Sequence, residues 1–244
     1  MKNITDIFFD LDHTLWDFDK NSILAFEKIF AEHHPTIDTN VFIEIYAPIN
    51  QACWKLYQVD KITHEELRYN RLRQSFDTLN YTISDDEINK MSHDYIDFLP
   101  DNNQLFDGTI EVLEYLEPKY NLHIITNGFA EVQGRKMSNS GLNSYFKTIT
   151  NSEMAGVKKP HPNIFEFALT LANTNKENSI MIGDCIDADV RGAINFGMHP
   201  LERTLPPLLA TTLCWRHHAV SRPRGSLRAG RKEMSLVRAW SEQR

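Results

Sequence analysis

The chain has 244 residues and a formal charge of −7, with 41% hydrophobic and 24% charged residues; this suits one sizeable core plus an accessory unit and excludes general disorder. No apolar stretch approaches a membrane span, and Met1-Lys2-Asn3-Ile4-Thr5-Asp6 lacks a signal peptide's long apolar segment, so a cytoplasmic protein without a membrane partner is expected. Cys53, Cys185 and Cys214 are odd in number and widely spaced, which argues against a disulfide framework or a zinc site.

Ile7-Phe8-Phe9 reads as a strand buried on both faces, and Asp10-Leu11-Asp12-His13-Thr14 follows directly. Side chains two apart in an extended chain share a side, so Asp10 and Asp12 can face one small volume. Two close carboxylates repel unless a cation sits between them. The segment therefore points to a divalent-metal site, with one carboxylate as nucleophile and the other as acid or base. The competing reading is a strand that ends in a helix cap supplied by Asp12 or Thr14.

Helical sequence follows. Ile23, Phe26, Ile29 and Phe30 recur at helix spacing and Pro35 closes the run. Thr63-His64-Glu65-Glu66 and Ser84-Asp85-Asp86-Glu87 are capping boxes, each opening a further helix. Residues 17–100 thus form a helical module, and Pro100-Asp101-Asn102-Asn103 leads back out of it. From Leu105 the pattern alternates between helix and strand, as in a parallel sheet built by crossovers. A helix over Thr109 to Glu117 stops at Pro118, Leu122 to Thr126 is a buried strand, and a helix covers Ala130 to Ser138. A strand over Phe146 to Thr150, a helix opened by Pro162, a strand over Ser179 to Ile182 and a helix ending at Gly197 complete the alternation.

Parallel sheets bind ligands beyond the carboxyl ends of their strands. Four segments fall at such ends or on adjacent loops: Asp10 to Thr14; Thr126-Asn127-Gly128; Lys158-Lys159-Pro160-His161-Pro162; and Gly183-Asp184 with Asp187 and Asp189. Together they supply a nucleophile, a hydroxyl, a cation and metal ligands. Taken singly, the last three are a turn, a loop and a strand terminus with a cap.

In this order the four segments resemble the motifs of the haloacid dehalogenase (HAD) superfamily of phosphohydrolases, over about residues 4–198. Phe9 to Phe18 and Gly156 to Phe165 are most similar to its bacterial noncanonical pyrimidine nucleotidases, a 5′-nucleotidase group. The resemblance implies an α/β fold: a Rossmannoid parallel sheet with helices on both faces, and a small helical cap inserted after the first strand. The core would comprise residues 1–16 and 101–198, with the cap at 17–100. By the same resemblance Asp10 would attack phosphorus to form an aspartyl-phosphate, and Asp12 would protonate the leaving oxygen and later deprotonate water. Mg²⁺ would be held by the carboxylates of Asp10 and Asp184 and the main-chain carbonyl of Asp12. Thr126 and the Asn127 main chain would bind phosphate, and Lys159 would add positive charge. Lys159 is chosen over Lys158 because the family lysine directly precedes the proline. Asp189 would orient Lys159 or a metal-bound water, while Asp187 reads as a helix N-cap.

His13 and His161 read as surface loop residues, and Cys185 as buried packing. Trp16 and Phe18 read either as an apolar wall beside a base or as packing against the cap; Trp54, Tyr57 and Met91 read as cap core. The implied activity is Mg²⁺-dependent hydrolysis of small phosphomonoesters, foremost pyrimidine nucleoside 5′-monophosphates. The alternatives are a sugar-phosphate or other metabolite phosphatase, a mutase, and a non-catalytic nucleotide-binding or partner-binding protein.

Residues 199–244 differ from the rest. Eight Arg and one Lys against three Glu give a charge of +6 and leave −13 on residues 1–198. Pro206-Pro207 stands where a further strand is expected, so the sheet edge beside the Asp184 strand would be bare. Three readings follow: a shifted or foreign reading frame, a disordered basic extension that binds nucleic acid, and a cover for the open edge through Leu208 to Trp215.

Overall fold

The computed structural model describes residues 4–204 and 214–216. Strand β1 (Asp6–Phe9) lies at the centre of a sheet with β2 (Asn121–Thr126) on one side and β4 (Ser179–Gly183) on the other. β3 (Phe146–Asn151) flanks β2, β5 (His199–Thr204) flanks β4, and β6 (Cys214–Arg216) lies beyond β5. The order is β3-β2-β1-β4-β5-β6; the first five strands are parallel and β6 runs antiparallel to β5. This is the α/β architecture expected of the family, with strand order reversing at β1, the place where such sheets bind ligands.

β1 shows why its short apolar run folds as a central strand. Ile7 and Phe9 point into a large core shared with the inserted helices, whereas Phe8 points into a second core with Ile125, Ile164, Phe165 and Met181. Both faces are covered, so alternation in the sequence is absent. Beneath Phe8, His123 stacks at 4.6 Å and bonds to buried Asp6, which also accepts from Thr5, Thr174 and Asn121.

Four helices fill the insert: α1 (Phe18–His33), α2 (Thr39–Gln58), α3 (His64–Thr78) and α4 (Asp85–Phe98). Both capping boxes form, Thr63 with Glu66 and Ser84 with Glu87. Phe26 is the hub of an aromatic cluster, within 6 Å of the ring centres of Phe30, Phe42, Tyr46 and Tyr95. A short 3-10 turn at Leu99–Asp101 returns the chain to α5 (Thr109–Leu116), and α6 (Ala130–Asn139), α7 (Ser152–Ala155) and α8 (Pro162–Ala172) follow in the crossovers. A turn of π-helix (Ile186–Arg191) runs into α9 (Gly192–Phe196), which ends at left-handed Gly197, φ 95°.

Two expectations are corrected here. The strand thought missing after Gly197 is present: β5 pairs with β4 from Ile180–His199 to Gly183–Glu202. It ends at Thr204, ahead of Pro206-Pro207, and β6 pairs only with Glu202 to Thr204, so Pro200 costs that ladder no hydrogen bond. The remainder of the basic segment lies outside the described residues. Asp187 is not a cap: Cys185 is the N-cap residue, its sulfur accepting from the Ala188 N–H, and Asp187 pairs with Arg191 on the surface.

Candidate active site

The carboxyl ends of β1, β2 and β4 converge on one cavity of about 560 Å³, roofed by α2. α2 presents Ile43, Ala47, Asn50, Trp54 and Gln58 to it at three- and four-residue spacing, a single helix face. The floor carries Asp10, Asp12, Thr126, Asn127, Lys159, Asp184 and Asp189, the residues singled out in the sequence.

Asp10 follows β1 directly, its N–H held by the Ile182 carbonyl at 2.8 Å. One carboxylate oxygen receives Lys159 Nζ at 2.6 Å, and the other lies 3.4 Å from the Thr14 hydroxyl, itself 3.4 Å from Asp184. Lys159 also donates to the Ile125 carbonyl at 2.7 Å and sits 2.7 Å from Asp189. Lys158 instead leaves the site, pairing with Asp60 and covering the Tyr57 ring. Asn127 fixes the lysine loop twice: its amide donates to the Lys159 carbonyl at 2.9 Å and accepts from the Lys159 N–H at 2.8 Å.

Asp12 belongs to a second set of contacts that motif spacing does not reveal. Lys136 Nζ lies 2.6 Å from one oxygen and Gln133 Nε2 2.8 Å from the other. The same Gln133 amide donates to Thr126 Oγ1 at 2.9 Å, and the Gly128 N–H donates there at 3.1 Å. With two donors already on its oxygen, the Thr126 hydroxyl proton is left to donate outward. Gln133 and Lys136 lie three apart on α6, one turn of one face, directly after the Thr126-Asn127-Gly128 loop. Sequence reasoning missed both, and that spacing is the signal that could have found them. Arg203 on β5 is the other group missed: it donates to the His13 carbonyl and stacks on Phe106 at 3.7 Å, bracing the loop after β1.

Crowded carboxylates set the electrostatics. Burial pushes Asp10 up to about 7 against the pull of Lys159, with Asp189 and Asp12 adding repulsion. Burial also pushes Asp184 up to about 6, with the Asp10 charge adding to the effect. Burial opposes the Lys159 charge, but Asp10 and Asp189 outweigh it and raise the ammonium. Oxygens of Asp10, Asp184 and Asp189 lie within 4.8 Å of one another. Both Asp189 oxygens are already engaged, one by Lys159 and one by the Cys185 N–H at 3.0 Å. The donors that remain, from Asp10 and Asp184, are hard oxygens whose mutual repulsion a hard divalent cation relieves, so the residues fit such an ion.

Several readings of single residues change. Cys185 is half-buried and lines the cavity, because the turn after β4 faces the site. Trp54 is not interior to the cap: it stacks on Phe129 of the sheet domain at 5.5 Å and walls the cavity. Phe18 lines the cavity, while Trp16 is fully buried beneath it. Both loop histidines have partners: His13 lies 3.9 Å from Asp19, and His161 Nδ1 caps α8 by accepting from the Asn163 N–H.

A sheet reversing at a central strand, with an aspartate pair, a threonine, a lysine and two further aspartates at its carboxyl ends, defines an α/β protein with an acidic, lysine-balanced centre beyond its strands. The family model for haloacid dehalogenase-like hydrolases matches residues 7–201, and the chain belongs to that family. Among curated relatives it is 31% identical over 193 residues to pyrimidine 5′-nucleotidase YjjG of Escherichia coli, covering 79% of this chain and 82% of the relative. It is equally 31% identical over 194 residues to pyrimidine 5′-nucleotidase PynA of Streptococcus pneumoniae, covering 79% and 80%. A glyceraldehyde 3-phosphate phosphatase of Methanothermobacter thermautotrophicus is 28% identical over 200 residues, covering 79% and 82%. The crystal structure of the HAD-hydrolase YfnB of Bacillus subtilis bound to magnesium superposes with a TM-score of 0.74 at 27% identity, covering 82% of this chain and 88% of that one. The family resemblance read from the four motifs is borne out. Among the described residues no helix is long and apolar enough to cross a membrane.

Proposed function

We propose that this hydrolase is a Mg²⁺-dependent phosphatase that acts through an aspartyl-phosphate and has pyrimidine nucleoside 5′-monophosphates as substrates. The observation that carries the chemistry is Asp10, buried at the centre of the cavity floor with its charge balanced by Lys159 at 2.6 Å. Asp10 attacks phosphorus, and the bond to the ester oxygen breaks as the new one forms. Asp12, two residues on, gives its proton to the leaving oxygen and takes one from the water that later hydrolyses the phosphoenzyme. Lys136 and Gln133 hold Asp12 in one rotamer for both steps. Thr126 Oγ1 and the Asn127 N–H donate to the phosphoryl oxygens, where charge develops. Asp189 is a positioning residue that fixes Lys159 and the turn after β4. The carboxylates of Asp10 and Asp184 and the Asp12 carbonyl would hold Mg²⁺, which neutralises the repulsion between the phosphate and its nucleophile.

The cavity favours a nucleotide over a three-carbon phosphate. Its volume suits a ligand of drug-like size, and Trp54 on α2 gives it an aromatic wall for a flat ring. The two nucleotidases at 31% identity support the same choice. The test is phosphate release with Mg²⁺ from UMP, CMP, purine nucleotides, ribose 5-phosphate and glyceraldehyde 3-phosphate. Turnover should be highest with pyrimidine nucleotides and absent in Asp10→Asn; a variant that keeps wild-type turnover overturns the mechanism.

A further inference from the structure

Behind Trp54 lies a small recess of about 30 Å³, which shares Asp12, Phe18, Trp54 and Gly128 with the main cavity. Arg71 of α3 forms its far side. This arginine is 2% exposed, and among the described residues it forms no ion pair with a carboxylate. Its Nη1 donates to Asn50 Oδ1 at 3.3 Å, and its guanidinium lies 4.9 Å from the Tyr95 ring centre. Nε and Nη2 are buried and, among the described residues, have no hydrogen-bond partner. Those two nitrogens form the side-on fork of a guanidinium, two N–H groups that converge on one acceptor or on two adjacent ones.

A buried charge without a countercharge, and with two orphan donors, is costly unless something else supplies the acceptor. Cap packing alone does not call for an arginine here, since its aliphatic and aromatic neighbours would accept methionine or leucine. The Asn50 carbonyl fixes the guanidinium plane, Tyr46 also donates to that oxygen at 3.4 Å, and Asn50 itself lines the main cavity. The recess holds about one oxygen atom and is too small for a second phosphate. It borders Asp12, the residue that serves the leaving group. A flat ring against Trp54 would therefore push a single carbonyl oxygen toward the fork.

We propose that Arg71, oriented by Asn50, is the specificity-determining residue that donates to a ring carbonyl oxygen of the pyrimidine base. Uracil and cytosine both carry such a carbonyl at C2. This inference rests on the nucleotidase reading above, and its test separates the two. The kcat/KM for UMP is divided by that for ribose 5-phosphate, which has the same phosphate and sugar but no base. In the wild type this ratio is well above one. In Arg71→Gln and in Arg71→Lys, which keeps the charge but not the fork, the ratio falls about 10- to 100-fold, the range for a hydrogen bond to a charged group. Uridine, tested as a competitive inhibitor of ribose 5-phosphate hydrolysis, shows a Ki raised at least tenfold in Arg71→Lys, a readout that involves no nucleotide chemistry. A packing role would lower both substrates together and leave the ratio and the uridine Ki unchanged in the folded Arg71→Lys protein; that outcome overturns the inference. A wild-type ratio near one locates the failure in the nucleotide reading itself, and the inference falls with it.

Discussion

Lys136 and Asp12 should matter to the fold as a pair, each costly to remove while the other stays. The Lys136 ammonium is almost wholly buried, 2.6 Å from an Asp12 oxygen and 4.2 Å from the Trp16 ring centre, and burial pulls it below the ordinary lysine range despite the Asp12 charge. Desolvation thus outweighs the attraction, so the pair gains little over an apolar substitute, although breaking it from one side leaves an unmatched charge. Lys136→Met keeps the length and the contact with Trp16 but strands Asp12. A deeply buried pair would lose about 3–5 kcal/mol on such a change. Here the Asp12 side chain keeps 20% of its surface on the cavity, where water can replace the ammonium, so we expect about 2 kcal/mol. At about 2–4 °C per kcal/mol for a chain of this size, the melting temperature falls by about 4–8 °C. Asp12→Asn, which strands Lys136, costs a similar amount. The double variant Asp12→Asn with Lys136→Met loses no more than about 1 kcal/mol against the wild type, a coupling of about 3–4 kcal/mol. Urea unfolding of the four proteins measures this coupling. Additive losses, with coupling below about 0.5 kcal/mol, would refute the pairing argument.

Gly183→Ala should reach the site through Asp189: an added Cβ would sit 2.2 Å from Asp189 Oδ2, so the carboxylate must leave the Cys185 N–H and loosen Lys159. We expect kcat for phosphate release to fall at least tenfold, and unchanged kinetics would count against Asp189 as a positioning residue. Arg203→Ala removes the brace under the His13 carbonyl and the cover on Phe106, at a cost of about 2 kcal/mol read by thermal unfolding, with a lowered kcat because the loop carrying Asp12 relaxes. The contribution of His123 to stability should fall on mild acidification, against the opposite pull of Asp10 and Asp184, whose raised carboxylates favour the fold as they take up protons. Burial holds the His123 imidazole below its ordinary 6.5 more strongly than Asp6 raises it, so the fold prefers neutral His123. The unfolded chain then takes up the proton first, and stability present above about pH 6.5 is lost as the pH drops below it. His34 and His64, also lowered by burial, add in the same direction. Melting curves of the wild type and His123→Asn from pH 7.5 to 5 isolate this contribution: the difference between them should shift in favour of His123→Asn as the pH falls, and a difference independent of pH would discount it.

Much of this was legible because it is local. An apolar run followed at once by Asp10 and Asp12 can hardly be anything but a buried strand presenting carboxylates at its end. The boxes at Thr63 and Ser84 carry their own hydrogen-bond partners within one turn. Lys159 separates from Lys158 on sequence because only one of them abuts the proline, and the fold sends them to opposite sides, one to Asp10 and the other to Asp60. The expectation for residues after Gly197 fails for a related reason: Pro206-Pro207 would disrupt a strand, but the strand ends before it, at Thr204.

By itself, then, the sequence determined the strand-and-helix order, the family and the acidic centre, since these depend on residue spacing over a few positions and on the order of four motifs. Tertiary structure alone decided which groups surround that centre. Gln133 and Lys136 meet Asp12 across more than a hundred residues, Arg203 reaches His13 from the far side of β4, and Arg71 approaches Trp54 from a different cap helix. Hydrogen bonds and ion pairs act over about 3 Å, while the chain brings their partners together only by folding, so no pattern along the sequence carries them.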